Sequence, residues 1–262
     1  MTTEFSVITV TRNNLAGLKR TRESLKIQSC MDYEWIIIDG NSSDGTKEYL
    51  STLPARALSE PDEGIYDAMN KGIKLATGKY LIFMNAGDIF AEAHVLQNVK
   101  DSASSADFIY GDSIEVFYKH RRHHKHIDFG LFTHHQSIFY RRECIGDLRY
   151  DVRYQIAADY DFTARFLKRA SRVLPLPFPI CYFESGGISQ QKAWQGRREQ
   201  FQSRRALGIN PAKNILIFSL QTLTWSVRQV FPAFYARMKD AGPRGYNNQT
   251  AARPAPTHAH HP

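Results

Sequence analysis

Residues 62–88, DEGIYDAMNKGIKLATGKYLIFMNAGD, decide the fold. Asp62, Glu63 and Gly64 form a turn signal whose acids stand at the positive end of a helix dipole. Ile65, Met69, Ile73 and Ala76 recur at three- and four-residue spacing and predict one apolar helical face. Asp67 and Lys71, four apart, pair on its wet side. Gly78 supplies the stop. Tyr80, Leu81, Ile82, Phe83 and Met84 show no polar alternation, which predicts a strand covered on both faces, as in a parallel sheet. Such a strand delivers Asn85, Ala86, Gly87 and Asp88 to the carboxyl edge, where open α/β sheets hold their ligands.

Working outward toward the N-terminus, FSVITV (5–10) predicts a buried first strand. The loop TRNN follows, with a helix cap at Asn13 or Asn14. Leu15, Leu18, Leu25 and Gln28 trace the helix. Residues 33–38 form a second strand that Asp39 closes, GNSSDG (40–45) is a turn, 46–53 a helix and 55–59 a weaker strand. Three strand–helix alternations imply right-handed crossovers and a mostly parallel sheet with helices on both faces.

Toward the C-terminus the pattern predicts a short helix (94–101), strands at 108–112, 114–118 and 132–140, and a helix at 156–170 with Asp159 and Asp161 in its first turn. Pro175, Pro177 and Pro179 make 173–183 an edge strand or extended loop. A Gly186–Gly187 loop and a basic helix (192–207) complete the domain. From 210 onward, Ile215, Leu216, Phe218, Leu220, Leu223, Trp225 and Val230 alternate with Lys213, Arg228, Arg237 and Lys239. That pattern suits an amphipathic helix on a membrane surface or one packed on the domain. The expected organisation is a domain at 1–209 (halves 1–90 and 91–209), a helical extension at 210–240 and a disordered tail at 241–262.

The 262 residues carry a net charge of +8, with 42% hydrophobic residues. Such a chain buries a core and favours anionic partners. Cys30, Cys144 and Cys181 have no metal-ligand spacing and suggest a reducing compartment. Neither a signal peptide nor a spanning helix is expected.

Four constellations can carry chemistry. Asp39 can accept a pyrimidine N–H or cap the following turn. Asp88 suits Mg²⁺ or Mn²⁺ beside substrate phosphates, or caps a turn. Asp159 can serve as general base or as a helix cap. His135 and Gln136, within HHQS, can face phosphate, metal or sugar hydroxyls, or be satisfied within the core. The run HRRHHKH (120–126) lacks the acids, cysteines and interleaved aromatics of a zinc or nucleic-acid site, so no nucleic-acid partner is expected.

In order, SVITVTRNN, IIIDGNSSDGT, residues 62–88, HHQSIFYRR and AADYDFTAR resemble the family-two glycosyltransferases of the GT-A fold, in their bacterial polysaccharide and glycolipid branch. The resemblance implies a Rossmann-like α/β sheet and inverting transfer from a nucleotide-diphosphate sugar, of the UDP type, to a saccharide or lipid-linked acceptor. Thr9, Thr11, Asn13, Asp39, Asp67, Asn70, Asn85 and Ala86 would line the donor, with Asp39 holding the base. Asp88 would ligate Mg²⁺ or Mn²⁺, although Asn85 and Gly87 stand where the family's metal motif carries acids. Asp159 would deprotonate the acceptor, and Ala158 replaces a common Glu beside it. His135, Gln136 and Arg197 would face the acceptor or diphosphate, Arg197 and Arg198 joining Gly186–Gly187 in a flap. A cytoplasmic protein, peripheral on the inner membrane face, follows from the same resemblance and the basic C-terminal helix.

Overall fold

The computed structural model describes residues 3–103, 105–115, 118–183 and 191–230. Among the described residues nine strands form one sheet: β1 (Phe5–Thr11), β2 (Tyr33–Asp39), β3 (Arg56–Ser59), β4 (Tyr80–Phe83), β5 (Ile89–Phe90), β6 (Phe108–Ile114), β7 (Tyr118–Lys119), β8 (Ile138–Arg141) and β9 (Val173–Tyr182). Their order is β3-β2-β1-β4-β8-β6-β9-β5, with β7 paired to β6. β3, β2, β1 and β4 run parallel, as do β6 and β9, while β8 is antiparallel to both β4 and β6.

Side chains of β1, β2 and β4 alternate between two cores, as the pleat requires. Phe5, Val7, Trp35, Ile37, Tyr80 and Ile82 pack beneath α1 (Leu15–Lys26), α2 (Thr46–Leu50) and α4 (Val95–Ser102). Ile8, Val10, Ile36, Ile38, Leu81 and Phe83 pack against α3 (Ile65–Leu75) and α6 (Ala158–Leu167). The unpunctuated YLIF run is therefore covered on both faces, as its composition predicts. α1 lies on one face and α3 returns across the other, so the winding reverses at β1. The crevice at that switch point opens at the carboxyl ends of β1 and β4.

Three local expectations change. The inner face of α3 is Tyr66, Ala68, Met69, Gly72 and Ile73, whereas Ile65 is exposed. Tyr66 takes the inward place one residue on. The strand expected at 132–140 begins only at Ile138, because His135–Ser137 form a 3-10 turn. β6 runs unbroken to Ile114, and only Tyr118–Lys119 pairs back onto it. The proline-bearing segment expected at 173–183 as an edge strand or extended loop is instead β9, lying between β6 and β5, and its pairing with β6 slips register on either side of Pro179.

α5 (Arg142–Ile145) is a single turn, and α7 (Ala193–Ala206) and α8 (Pro211–Val230) follow β9. The compact unit continues to Phe218, and a second begins at Ser219. The start of α8 belongs to the first unit because Asn214 and Ile217 are buried and Phe218 packs 5.2 Å from Phe201. The tail expected at 241–262 and the glycines at 186–187 lie outside the described residues.

Candidate active site

The loops after β1 and β2 are sewn together at the carboxyl edge. Asn13, in the left-handed region at φ 51°, donates its N–H to Ser42 Oγ at 2.7 Å and accepts the Ser43 N–H at 2.8 Å. Asn14 caps α1 by accepting the Gly17 N–H at 3.0 Å, and its Nδ2 donates to the Ala86 carbonyl at 2.9 Å. One asparagine thus anchors both the first helix and the loop after β4.

Asp39 is fully buried. Its carboxylate accepts the Ser42 N–H at 3.1 Å, the Ser42 hydroxyl, and the Ser59 hydroxyl at 2.7 Å. The turn-capping role is realised, and the same bonds aim the carboxylate. Gly40 is required here by close approach: a Cβ would collide with Asp62 Oδ2 and come within 3.3 Å of Arg12 Cδ. The room a side chain at position 40 would need is filled by the acid of Asp62.

The expected donor residues divide. Thr11 reaches the edge with a buried hydroxyl that has no partner. Thr9 lies deeper, its hydroxyl accepting the Trp35 indole N–H at 2.9 Å. Asp67 accepts the Glu63 N–H at 3.2 Å and pairs with Lys71 at 3.4 Å. Asn70 exchanges two bonds with the Tyr150 backbone, at 2.9 and 2.8 Å. Asp67 and Asn70 are thereby committed to ties that hold α3.

The second half of the site follows from strand direction. Because β8 is antiparallel to β4, the turn preceding it lies beside the end of β4. Gln136 Nε2 consequently donates to Asp88 Oδ2 at 2.8 Å, and both residues are buried. The neighbouring His135 sits between Asn85 and Asp159, with Nε2 3.4 Å from Asn85 Nδ2 and Nδ1 3.4 Å from Asp159 Oδ2. Nε2 thus faces the Asn85 amide and Nδ1 the carboxylate. Asp159 stands in the first turn of α6, where the helix dipole favours its charge, and its Oδ1 accepts the Tyr160 N–H at 2.7 Å.

Beneath Asp159 lies a residue pair that spacing alone does not single out. Tyr66 donates to the Ile156 carbonyl at 2.8 Å and stacks on Tyr150 at 5.5 Å. Burial, reinforced by the Asp159 charge, raises the Tyr66 pKa well above its usual value, so the phenol stays protonated. Its signal in the sequence was an aromatic directly after the helix-opening Gly64 and Ile65. His134 is also neutral: burial, aided by the nearby Lys119 ammonium, pushes its pKa down to about 3. Arg197 lies on α7 and donates to the Ala193 carbonyl at 2.9 Å.

The run 120–126 folds onto β6 rather than forming a separate patch, with Arg121 paired to the buried Asp112 at 2.8 Å.

The Glycosyl transferase family 2 profile matches residues 6–172. A PGL/p-HBAD biosynthesis glycosyltransferase of Mycobacterium bovis is 35% identical over 201 residues, 71% of this chain and 78% of that protein. Among solved structures, Staphylococcus aureus TarS in complex with UDP-GlcNAc superposes with a TM-score of 0.62 at 18% identity, over 84% of this chain and 71% of that one. A mannosyltransferase of Pyrobaculum calidifontis, in complex with GDP-Man and Mn²⁺, gives a TM-score of 0.61 at 15% identity over 93% of this chain and 76% of that one. With its profile match spanning both halves of the crevice, the chain belongs to glycosyl transferase family 2 and is a glycosyltransferase of the GT-A fold.

Proposed function

We propose that the chain transfers a sugar from a nucleotide-diphosphate donor, a UDP-sugar, to a saccharide or lipid-linked acceptor with inversion at the anomeric carbon. One observation carries this reading. Two consecutive side chains, Gln136 and His135, tie Asp88 and Asp159 into one array at the end of β4. One acid faces the donor diphosphate and the other the acceptor. The acceptor oxygen attacks the anomeric carbon and its proton passes to Asp159 Oδ2. The bond from that carbon to the diphosphate breaks, its electron pair leaving with the phosphate oxygen. A base on the face opposite the leaving group makes this a single displacement.

Asp39, with oxygens already accepting from Ser42 and Ser59, suits the single ring N–H of uracil better than the paired donors of guanine. Hard cations take oxygen ligands and keep few from protein. The residues present fit such an ion: Asp88 supplies a carboxylate, and the buried Asn85 Oδ1 and Gln136 Oε1 have no hydrogen-bond partner. Among the described residues no group of three His, Cys, Asp or Glu side chains that could hold a metal converges, and in this reading Asp88 supplies the charge. When bound, the ion neutralises charge on the diphosphate.

The relative's role in PGL/p-HBAD biosynthesis supports a glycolipid acceptor, and TarS with UDP-GlcNAc supports the UDP donor. Exposed Ile215 and Leu216 on α8, with the basic charge, support contact with an anionic membrane surface. No described helix is long and apolar enough to cross a membrane. A thermal-shift panel of UDP-, GDP- and dTDP-sugars with and without Mn²⁺ tests the donor. The reading expects the largest shift with a UDP-sugar and Mn²⁺; no shift with any of them contradicts it.

A further inference from the structure

α6, which carries Asp159, begins without a cap of its own: the residue before it is Ala157, which has no side-chain oxygen to offer. Backbone N–H groups at a helix start need acceptors, and burying them unpaired is costly. The acceptor comes from α7. Glu199, buried, places one carboxylate oxygen, Oε2, 2.8 Å from the Ile156 nitrogen and 2.9 Å from the Ala157 nitrogen. Its other oxygen accepts from Gln195 Nε2 at 2.8 Å. Both oxygens are therefore engaged and the carboxylate has one orientation.

Two further observations show that α7 is built to sit here. Gly196, one turn before Glu199 along the same side, meets Ile156 so closely that a Cβ would lie 3.0 Å from its Cγ2. Ser203, four residues after Glu199, donates its hydroxyl to Asp161 Oδ1 at 2.7 Å. Gln195, Glu199 and Ser203 at four-residue spacing thus grip residues 155–161 from one helical face. The Tyr66 hydroxyl also binds inside this gripped segment, at the Ile156 carbonyl.

We propose that Glu199 is a positioning residue for the transfer. By capping α6 from a separate helix it fixes the height and direction of Asp159 against His135. This rests on the reading of Asp159 as base. It goes beyond that reading in assigning to α7 the alignment of the base rather than any contact with donor or acceptor. Catalysis of this kind is sensitive to small displacements of an aligned group.

The test compares Glu199→Ala, Glu199→Gln and Ser203→Ala in the full chain, at a temperature where circular dichroism shows all of them folded. Nucleotide-diphosphate release gives kcat and donor KM, and hydrogen exchange reports the Ile156 and Ala157 amides. Glu199→Ala is expected to lower kcat at least about tenfold with donor KM within about twofold. Glu199→Gln keeps an acceptor oxygen and recovers most of the loss, while Ser203→Ala, which leaves the cap intact, stays above Glu199→Ala in kcat. Exchange at both amides accelerates in Glu199→Ala alone. An unchanged kcat in Glu199→Ala, or an equal loss in Ser203→Ala, overturns the proposal. Should the wild-type chain turn over no donor, the amide exchange still decides: unaltered exchange refutes the cap, whereas accelerated exchange upholds it and places the failure with the transferase reading.

Discussion

Acid should loosen the site through His134, the residue before His135. Its imidazole titrates at about 3 in the folded chain against 6.5 for a free one, burial being the main cause and the Lys119 ammonium, 3.0 Å from Nε2, adding to it. For a base whose folded pKa is depressed, the unfolded chain binds the proton first. Stability is therefore intact above about pH 6.5 and is lost on acidification through the window down to about 3. At about pH 5 the unfolded group is roughly 1.5 units below its pKa, and at about 1.4 kcal/mol per unit the loss is about 2 kcal/mol. This figure depends on the unfolded value alone so long as the folded one stays well below pH 5. Urea unfolding of wild type and His134→Gln at about pH 7 and pH 5 isolates the effect. The glutamine variant should lose about 2 kcal/mol less than wild type between the two conditions. Equal losses would refute the reasoning.

Tyr150→Phe removes a buried hydroxyl that has no partner, so urea unfolding should show a stability unchanged or higher by up to about 1 kcal/mol. A loss larger than that would mean the hydroxyl is paired. Gly78→Ala drives a Cβ to 2.6 Å from the Ser6 nitrogen, against backbone that cannot swing aside, and should cost about 1–3 kcal/mol; a neutral result contradicts the packing of the turn before β4 on β1. Gln136→Leu strips Asp88 of its amide partner and should weaken Mn²⁺ half-saturation of transfer about 10- to 100-fold. Unaltered Mn²⁺ dependence would remove the metal from Asp88.

The parallel half of the sheet was legible because its signal is local. An apolar run such as YLIF states its own burial, and the turn residues around Asn14 and Gly64 mark helix starts. The second half was less so. His135 and Gln136 interrupt what looks like a continuous strand, since a 3-10 turn and a strand can share the same alternation of apolar and polar residues. β9 keeps its prolines by slipping register, which no composition rule announces. Residue types at the site were visible, but which of them meet was not. Asp39 and Ser59 lie side by side only through β2–β3 register, and His135 reaches Asn85 only because β8 runs against β4. Asn70 illustrates the converse: a polar residue expected to line the donor, yet held by both its amide atoms to the Tyr150 backbone. Glu199 stood in a helix whose evident feature was its basic charge, and its role depends on a partner segment far earlier in the chain.

The most direct measurement of the central claim separates binding from turnover at Asp159. Asp159→Asn preserves an oxygen for the Tyr160 N–H and removes the proton acceptor beside His135. Calorimetric titration with a UDP-sugar and Mn²⁺ should give an affinity within about threefold of wild type, while kcat for transfer falls about 10²- to 10⁴-fold. Retained turnover in this variant would contradict Asp159 as the base and, with it, the mechanism proposed for this crevice.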